Sequence, residues 1–321
     1  MTCTISSLSI VVPVYNEEES LPKLHAEITA AMGSLSGLRY ETIFVDDGST
    51  DGSVDILREL HAADPEHVRA IVFRRNFGQT AAMAAGFDAA TGDVIVPMDA
   101  DLQNDPGDIA LLLDKLGEGF DVVSGWRKNR QDKMLSRRLP SVLANRLISW
   151  ITGVPLHDYG CTLKAYRREV ARHIDFYGEL HRFLPALASW SGAKVAEIPV
   201  NHRSRRYGVS KVGIDRTLRV VLDLITVKFL MSYSTKPMQV FGKWGMLSLL
   251  VGFLAGLVTA YDKVFHGLSV NRNGWMLLCV LFLITGMQFI SMGLLGEINV
   301  RTYYESQKKP IYTVRERIGG E

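Results

Sequence analysis

The chain has 321 residues, with 36 lysines and arginines against 34 aspartates and glutamates and a formal net charge of +2. That balance excludes the strongly basic surface of a general nucleic-acid binder. The three cysteines, Cys3, Cys161 and Cys279, lie far apart, which excludes a disulfide framework and fits a reducing compartment.

The N-terminus carries neither a basic n-region nor an apolar h-region, so no signal peptide is expected. Leu8 to Tyr15 is an apolar run of strand type, and Asn16-Glu17-Glu18-Glu19 is expected to open a helix with acids in its first turn. Glu41 to Val45 reads as a second strand. It stops at Asp46-Asp47-Gly48-Ser49-Thr50-Asp51-Gly52, whose residues reverse the chain and cap the next helix. Val68 to Phe73 is a third strand, followed by Arg74 to Gln79 and an alanine-rich helix from Thr80 to Ala90. The fourth strand is read from Val94 through the stretch to Gln103, with Asp99 and Asp101 at its carboxyl end, and Asp121 to Ser124 is the fifth. Strands alternating with helices imply an α/β fold with a mostly parallel sheet covered on both faces, and ligands at the carboxyl ends of the strands.

The unusual residues gather at those ends: Tyr15 to Glu17, Asp46-Asp47, Asn76 to Gly78, and Asp99-Ala100-Asp101-Leu102-Gln103. In an extended chain Asp99 and Asp101 point the same way, and Gln103 follows if the chain stays extended. Two carboxylates and an amide supply the few oxygen ligands that a hard divalent cation takes from protein when phosphates and water complete its shell. A solvated acidic turn is the plain alternative. No G-x-G-x-x-G follows the first strand and no G-x-x-x-x-G-K-[ST] occurs anywhere, so hydride transfer and P-loop hydrolysis are disfavoured.

After Val212 the pattern changes. Ile214, Leu218, Val221, Leu222, Ile225 and Phe229 recur at helical intervals opposite Asp215, Arg216, Arg219 and Asp223, an amphipathic helix suited to a membrane interface. Trp244 to Tyr261 is uncharged for about 18 residues and Gly274 to Gly296 for about 23, each long enough to span a bilayer. The loop between them holds only Lys263 and Arg272. Lys228, Lys236 and Lys243 precede the first span, and Arg301, Lys308, Lys309, Arg315 and Arg317 follow the second. The positive-inside bias then places both termini in the cytoplasm.

Pro13-Val14-Tyr15-Asn16-Glu17, Val45-Asp46-Asp47-Gly48-Ser49 and Asp99-Ala100-Asp101-Leu102-Gln103, in that order, resemble family 2 glycosyltransferases of the GT-A fold. Arg205-Arg206-Tyr207-Gly208-Val209-Ser210-Lys211 is similar to the R-x-x-G-x-S-K segment of the polyprenyl-phosphate glycosyltransferases, the dolichol-phosphate mannose synthase group. Asn129-Arg130-Gln131-Asp132, Asp158-Tyr159-Gly160-Cys161 and Gly293-Leu294-Leu295-Gly296-Glu297 further resemble the bacterial branch. Its members include undecaprenyl-phosphate glucosyltransferases and the undecaprenyl-phosphate 4-deoxy-4-formamido-L-arabinose transferase. The resemblance covers nearly the whole chain.

The resemblance implies that Pro13, Tyr15, Glu17 and Asp46 hold the base and ribose of a UDP-sugar, and that Arg205 and Lys211 lie on a loop near the donor. It further implies that Asp99 lies beside the nucleotide-sugar while Asp101 and Gln103 ligate Mg²⁺ or Mn²⁺, with Asp99, Asp101, Arg127 and Arg137 as the catalytic set. For the lipid phosphate it points to Arg127 and Arg137, with Arg138 and Ser141 beside them and Arg130 as a competing neighbour. Arginine suits this task because its planar fork binds two phosphate oxygens. Asp158 is expected to shape the sugar or acceptor side. His157 and His181 show no partner pattern, so structural roles are expected for them.

The implied reaction is inverting transfer of a sugar, with glucose the leading donor, to undecaprenyl phosphate at the cytoplasmic face of the bacterial inner membrane. 4-Deoxy-4-formamido-L-arabinose or an N-acetylhexosamine are the alternative sugars. A processive polysaccharide synthase or a non-catalytic membrane scaffold are rivals, but there are few apolar spans, no Q-x-x-R-W, and intact carboxylates at Asp99 and Asp101. The expected organisation is a GT-A domain over residues 1–211, an interface helix over 212–236, two transmembrane helices within 237–305, and a cytoplasmic tail over 306–321. Relatives in this branch form tetramers, so a homo-oligomer is expected.

Overall fold

The computed structural model describes residues 5–128, 145–146, 148–150, 152–172, 183–203, 237–306 and 312–319. The expected interface helix, and Arg130, Arg137, Arg138, Ser141, His181, Arg205 and Lys211, lie outside the described residues. The chain divides into two compact units. One comprises Met1–Val227 with Pro310–Glu321, and the other Lys228–Lys309.

The first unit is built on β1 (Ser7–Val14), β2 (Arg39–Asp46), β3 (Val68–Phe73), β4 (Val94–Pro97), β5 (Val122–Trp126), β6 (Lys164–Arg167), β7 (Val195–Pro199) and β8 (Val314–Ile318). They form one sheet in the order β7-β5-β6-β4-β1-β2-β3-β8. Pairing is parallel for β1 with β2 and β4, β2 with β3, and β5 with β7. It is antiparallel where β6 enters between β4 and β5 and where β8 closes the β3 edge. The side-chain period of two divides each central strand between two cores. Leu8, Ile10, Val12 and Val14 pack on one face with Leu24 and Ile28 of α1 (Leu21–Gly33), Leu57 of α2 (Ser53–Ala63) and Leu112 of α4 (Ile109–Gly117). Val11, Ile43 and Val45 pack on the other with α3 (Gln79–Ala89) and α6 (Leu184–Trp190). A short helix, α5 (Arg168–Ala171), follows β6.

Two elements differ from the sequence expectation. The acids after β1 do not open a helix. Asn16 takes a left-handed conformation (φ 55°), and α1 begins only at Leu21, with a proline in its first turn and the Ser20 hydroxyl turned back to Glu17. The C-terminal segment expected as a tail contains β8. Val314–Ile318 pairs antiparallel with β3, Arg74 N donates to Thr313 O at 3.0 Å, and Tyr312 stacks on Phe73 with ring centroids 5.0 Å apart. A five-residue segment reading V-R-E-R-I has three charged side chains, so only the waiting edge of β3 makes it a strand.

The second unit is a helical hairpin, α7 (Pro237–Phe265) and α8 (Gly274–Ser306). Phe241–Phe265 and Gly274–Gly296 are each long and apolar enough to cross a membrane. Glycines let the two helices touch: a Cβ on Gly245 would lie 2.9 Å from the carbonyl oxygen of Gly286. Ser248 Oγ donates to Phe282 O at 2.7 Å, which satisfies that hydroxyl between the helices. The outward faces are apolar and exposed, as at Leu250, Phe253, Leu257, Leu277, Leu281 and Ile284.

Candidate active site

The strand ends of β1, β2, β3 and β4 converge on one rim, where local hydrogen bonds lock their loops together. Asp47 N donates to Val14 O at 2.8 Å, Asn16 N to Ser49 Oγ at 2.9 Å, and Glu17 N to Ser53 Oγ at 2.9 Å. Asp47 accepts the amides of Phe77 (2.6 Å) and Gly78 (2.9 Å), which draws the loop after β3 onto the turn after β2. Gly48 is required at that crossing. Its φ is +71°, and a Cβ there would stand 2.4 Å from the backbone of Arg75.

Within this rim Tyr15 is 37% exposed at the end of β1, with Pro13 and Glu17 half-buried on either side. Asp46 is fully buried beneath the turn, where Oδ2 accepts Ser49 N at 3.1 Å. Burial pushes its carboxyl above the ordinary range, against the hydrogen bonds of Ser49 and Gly48 and the charge of Arg315 from β8. Its Oδ1 has no hydrogen-bond partner among the described residues, so the acid has acceptor capacity to spare.

Strand β4 ends at Pro97, so Asp99 and Asp101 sit on the loop beyond it rather than on an extended strand. The chain does not stay extended to Gln103. Leu102, buried, has φ 61°, a left-handed conformation that costs a branched residue on the order of 1–2 kcal/mol. That kink brings Gln103 N back to Asp101 Oδ1 at 3.1 Å, and Arg203 N binds Gln103 O at 2.9 Å. The adjoining bridge pairs Asn104 with His202. Arg203 is itself pinned by Glu27 (2.6 Å) and Asp105 (2.9 Å).

Asp99 is held at both oxygens, Oδ1 by Gln79 Nε2 (2.9 Å) and Oδ2 by Thr162 Oγ1 (2.7 Å). Its carboxyl is pushed above the ordinary range by burial and then by the neighbouring charge of Asp101, which is only 5% exposed. Two repelling carboxylates with little water are the environment that a hard divalent cation relieves. No group of three His, Cys, Asp or Glu residues suited to a metal occurs among the described residues. Asp101 is the buried carboxylate beside Asp99 that a cation completed by substrate phosphates would take, whereas the Gln103 amide sends Nε2 toward Arg203 O at 3.5 Å.

On the other side of Asp99, Arg127 does not stand open to solvent. It forms a two-point ion pair with Asp158, Nε to Oδ2 at 2.6 Å and Nη2 to Oδ1 at 2.9 Å, and its side chain is 15% exposed. Burial opposes its charge, but the hydrogen bonds and charge of Asp158 outweigh this and bind its proton more tightly than usual. Asp158 also accepts Gly160 N at 3.1 Å, so the Arg127 pair shapes the loop leading to Thr162. His157 stacks on Trp126 with centroids 4.3 Å apart and sets Nδ1 2.7 Å from Glu197 Oε2, the structural role expected of it. Burial pushes the Cys161 thiol up to about 11, so it is no nucleophile at neutral pH.

Sequence reasoning missed Gln79 and Thr162 as the holders of Asp99. Their only signal was position: Gln79 follows the Asn76-Phe77-Gly78 loop and Thr162 follows Asp158-Tyr159-Gly160-Cys161.

Residues 9–175 match the glycosyl transferase family 2 model. The chain belongs to this family. Two curated relatives extend the likeness to nearly full length. One is the dodecaprenyl-phosphate galacturonate synthase of Rhizobium johnstonii, 43% identical over 96% of this chain and 92% of that protein. The other is the undecaprenyl-phosphate 4-deoxy-4-formamido-L-arabinose transferase of Klebsiella pneumoniae, 40% identical over 97% of this chain and 93% of that protein. Among solved structures, the glucosyl-3-phosphoglycerate synthase of Mycobacterium tuberculosis with Mn²⁺, UDP and phosphoglyceric acid superposes with a TM-score of 0.54. It shares 19% identity over 70% of this chain and 78% of its own, a likeness of fold. The chain is therefore a family 2 glycosyltransferase with a GT-A-like α/β domain, and Asp99 to Gln103 occupy its carboxyl-end rim.

Proposed function

We propose that this glycosyltransferase moves a sugar from a UDP-sugar to undecaprenyl phosphate, with inversion, at the cytoplasmic face of the bacterial inner membrane. The extent of the likeness carries this reading: the two polyprenyl-phosphate relatives match over 312 residues, the apolar helices included. Their sugars are galacturonate and formamido-arabinose, so these two stand before glucose as donors to try.

In this reading Pro13, Tyr15, Glu17 and Asp46 bind the nucleoside, with Asp46 Oδ1 as a ready acceptor. Asp101 and Gln103 hold Mg²⁺ or Mn²⁺, which supplies charge neutralisation for the departing diphosphate. Asp99, fixed from both sides, faces the donor sugar. The acceptor needs no general base. A phosphate monoester with a second pKa of about 6 is already an anionic nucleophile at pH 7, so the protein has to align it and screen its charge. Arg137, Arg138 and Ser141 are assigned to that phosphate and Arg205 and Lys211 to the donor diphosphate. Arg127, tied to Asp158, contributes a fixed positive charge that acts on Asp99.

Both helices of the hairpin span the bilayer, with the positively charged flanks inside and the loop at residues 266–273 outside. The protein assembles as a homo-oligomer, a tetramer by resemblance.

The deciding experiment gives the purified protein undecaprenyl phosphate, Mn²⁺ and a panel of radiolabelled UDP-sugars and counts label in the organic phase. Label from one donor is expected and names the sugar. No label from any donor, together with no Mn²⁺-dependent protection by UDP against thermal unfolding, would overturn the reading.

A further inference from the structure

Lys164 has no part in the chemistry above, yet its side chain is buried to 3% exposure beside the site. It stands first in β6, opposite Ser124 of β5. Burying an amine is costly unless its hydrogen bonds are made, and an apolar residue of similar length would avoid that cost. The lysine donates instead to two main-chain carbonyls of the preceding loop, Tyr159 O at 3.4 Å and Cys161 O. That loop wraps the end of β5 without slack. A Cβ on Gly125 would lie 2.7 Å from Leu163 O, and one on Gly160 would lie 3.1 Å from Arg127 Nη2.

Between these tied points and β6 lie Thr162 and Leu163, and the Thr162 hydroxyl binds Asp99 Oδ2 at 2.7 Å. A shift of the 161–162 peptide would carry Thr162 and its hydroxyl away from Asp99. The carbonyl of Cys161 belongs to that same peptide, and Lys164 holds it. Burial lowers the basicity of the amine, while the charges of Asp158 and Asp99 and the like charge of Arg127 surround it.

We propose that Lys164 is a positioning residue. By tying the carbonyls of Tyr159 and Cys161 it aims the Thr162 hydroxyl, and so fixes the Asp99 carboxylate in the orientation that transfer requires. This rests on the reading of Asp99 as the carboxylate facing the donor sugar. Lys164 itself touches neither substrate.

The test uses the full-length enzyme with Lys164→Met, Thr162→Val and the double variant, alongside wild type. Each single variant is expected to lower kcat about tenfold while UDP affinity stays within about twofold, because one hydrogen bond to a charged group is lost. The double variant is expected to be no worse than the poorer single, since both changes remove one chain of contacts. Amide hydrogen exchange at Tyr159 to Leu163, measured without substrate, is expected to quicken in Lys164→Met. Wild-type kcat in Thr162→Val, additive losses in the double variant, or unchanged exchange in Lys164→Met would each overturn the proposal. If Lys164→Met does not fold, the kcat of Thr162→Val decides. If wild type transfers no sugar, the proposed function fails and the exchange measurement still decides the role of Lys164.

Discussion

On the proposed assignment Asp101 serves the cation, although it crowds a second buried carboxylate against Asp99. It is nearly buried beside Asp99 and raises the affinity of that carboxyl for its proton. Asp101→Ala is therefore expected to reduce transfer by about a hundredfold or more through loss of the cation. Its melting temperature without metal should stay close to that of wild type, because relief of the repulsion with Asp99 offsets the lost Gln103 N bond. A protein that melts earlier would show that Asp101 has a structural duty instead. Glu41 is the opposite case. Burial works against its charge, but hydrogen bonds from Ser9 Oγ, Thr91 N and Oγ1, and Arg69 Nη1, all between 2.6 and 2.7 Å, outweigh it and pull its carboxyl below the ordinary 4.5. A lowered folded-state value means that Glu41 stabilises the protein above about pH 4.5, and that this contribution is lost as pH falls through the folded value. Glu41→Gln should cost about 2 kcal/mol at pH 7 and flatten the acid limb of the stability curve, as read by denaturant melts from pH 3 to 7.

Among the elements, those with strong internal periodicity were legible beforehand and those made by their neighbours were not. β1 to β5 and the alanine-rich α3 could be read because hydrophobic runs and small residues carry their own instruction. α3 shows the reason for its composition: a Cβ on Gly86 would meet Val11 Cγ1 at 2.2 Å, so only small residues let this helix lie on β1. β6, β7 and β8 are four or five residues long and part-polar, with no signal outside the sheet. β8 is held by the Tyr312–Phe73 stack, by the Tyr312 hydroxyl on Asp88 Oδ2 at 3.0 Å, and by the Arg58–Glu316 pair at 2.7 Å. Tyr312→Ala is expected to destabilise the first unit by about 2 kcal/mol and to speed proteolysis within residues 312–319. Arg58→Ala, which breaks an exposed and solvent-screened pair, should leave the same melt nearly unchanged.

For the whole molecule, the same chain carries a catalytic unit and a hairpin of two apolar helices, and its C-terminal residues return to the catalytic sheet as β8. The proposed topology puts the hairpin loop outside. In a cysteine-free background, Ser269→Cys should react with a membrane-impermeant maleimide in intact cells, whereas a cysteine at exposed Glu118 should react only after lysis. The reverse pattern would turn the protein over and separate the active site from cytoplasmic UDP-sugars.

The sequence by itself determined the fold class, the family, the two apolar helices and the rim motifs, because each is written in contiguous residues whose spacing has a direct geometric meaning. Only the tertiary structure decided how those motifs are held. Gln79 reaches Asp99 from the start of α3 and Thr162 from the loop before β6, Asp158 occupies Arg127, a left-handed Leu102 turns Gln103 back, and β8 finds its edge. Apart from the local turn at Leu102, these contacts join residues tens to hundreds of positions apart. They depend on close packing of particular side chains, which no local pattern specifies.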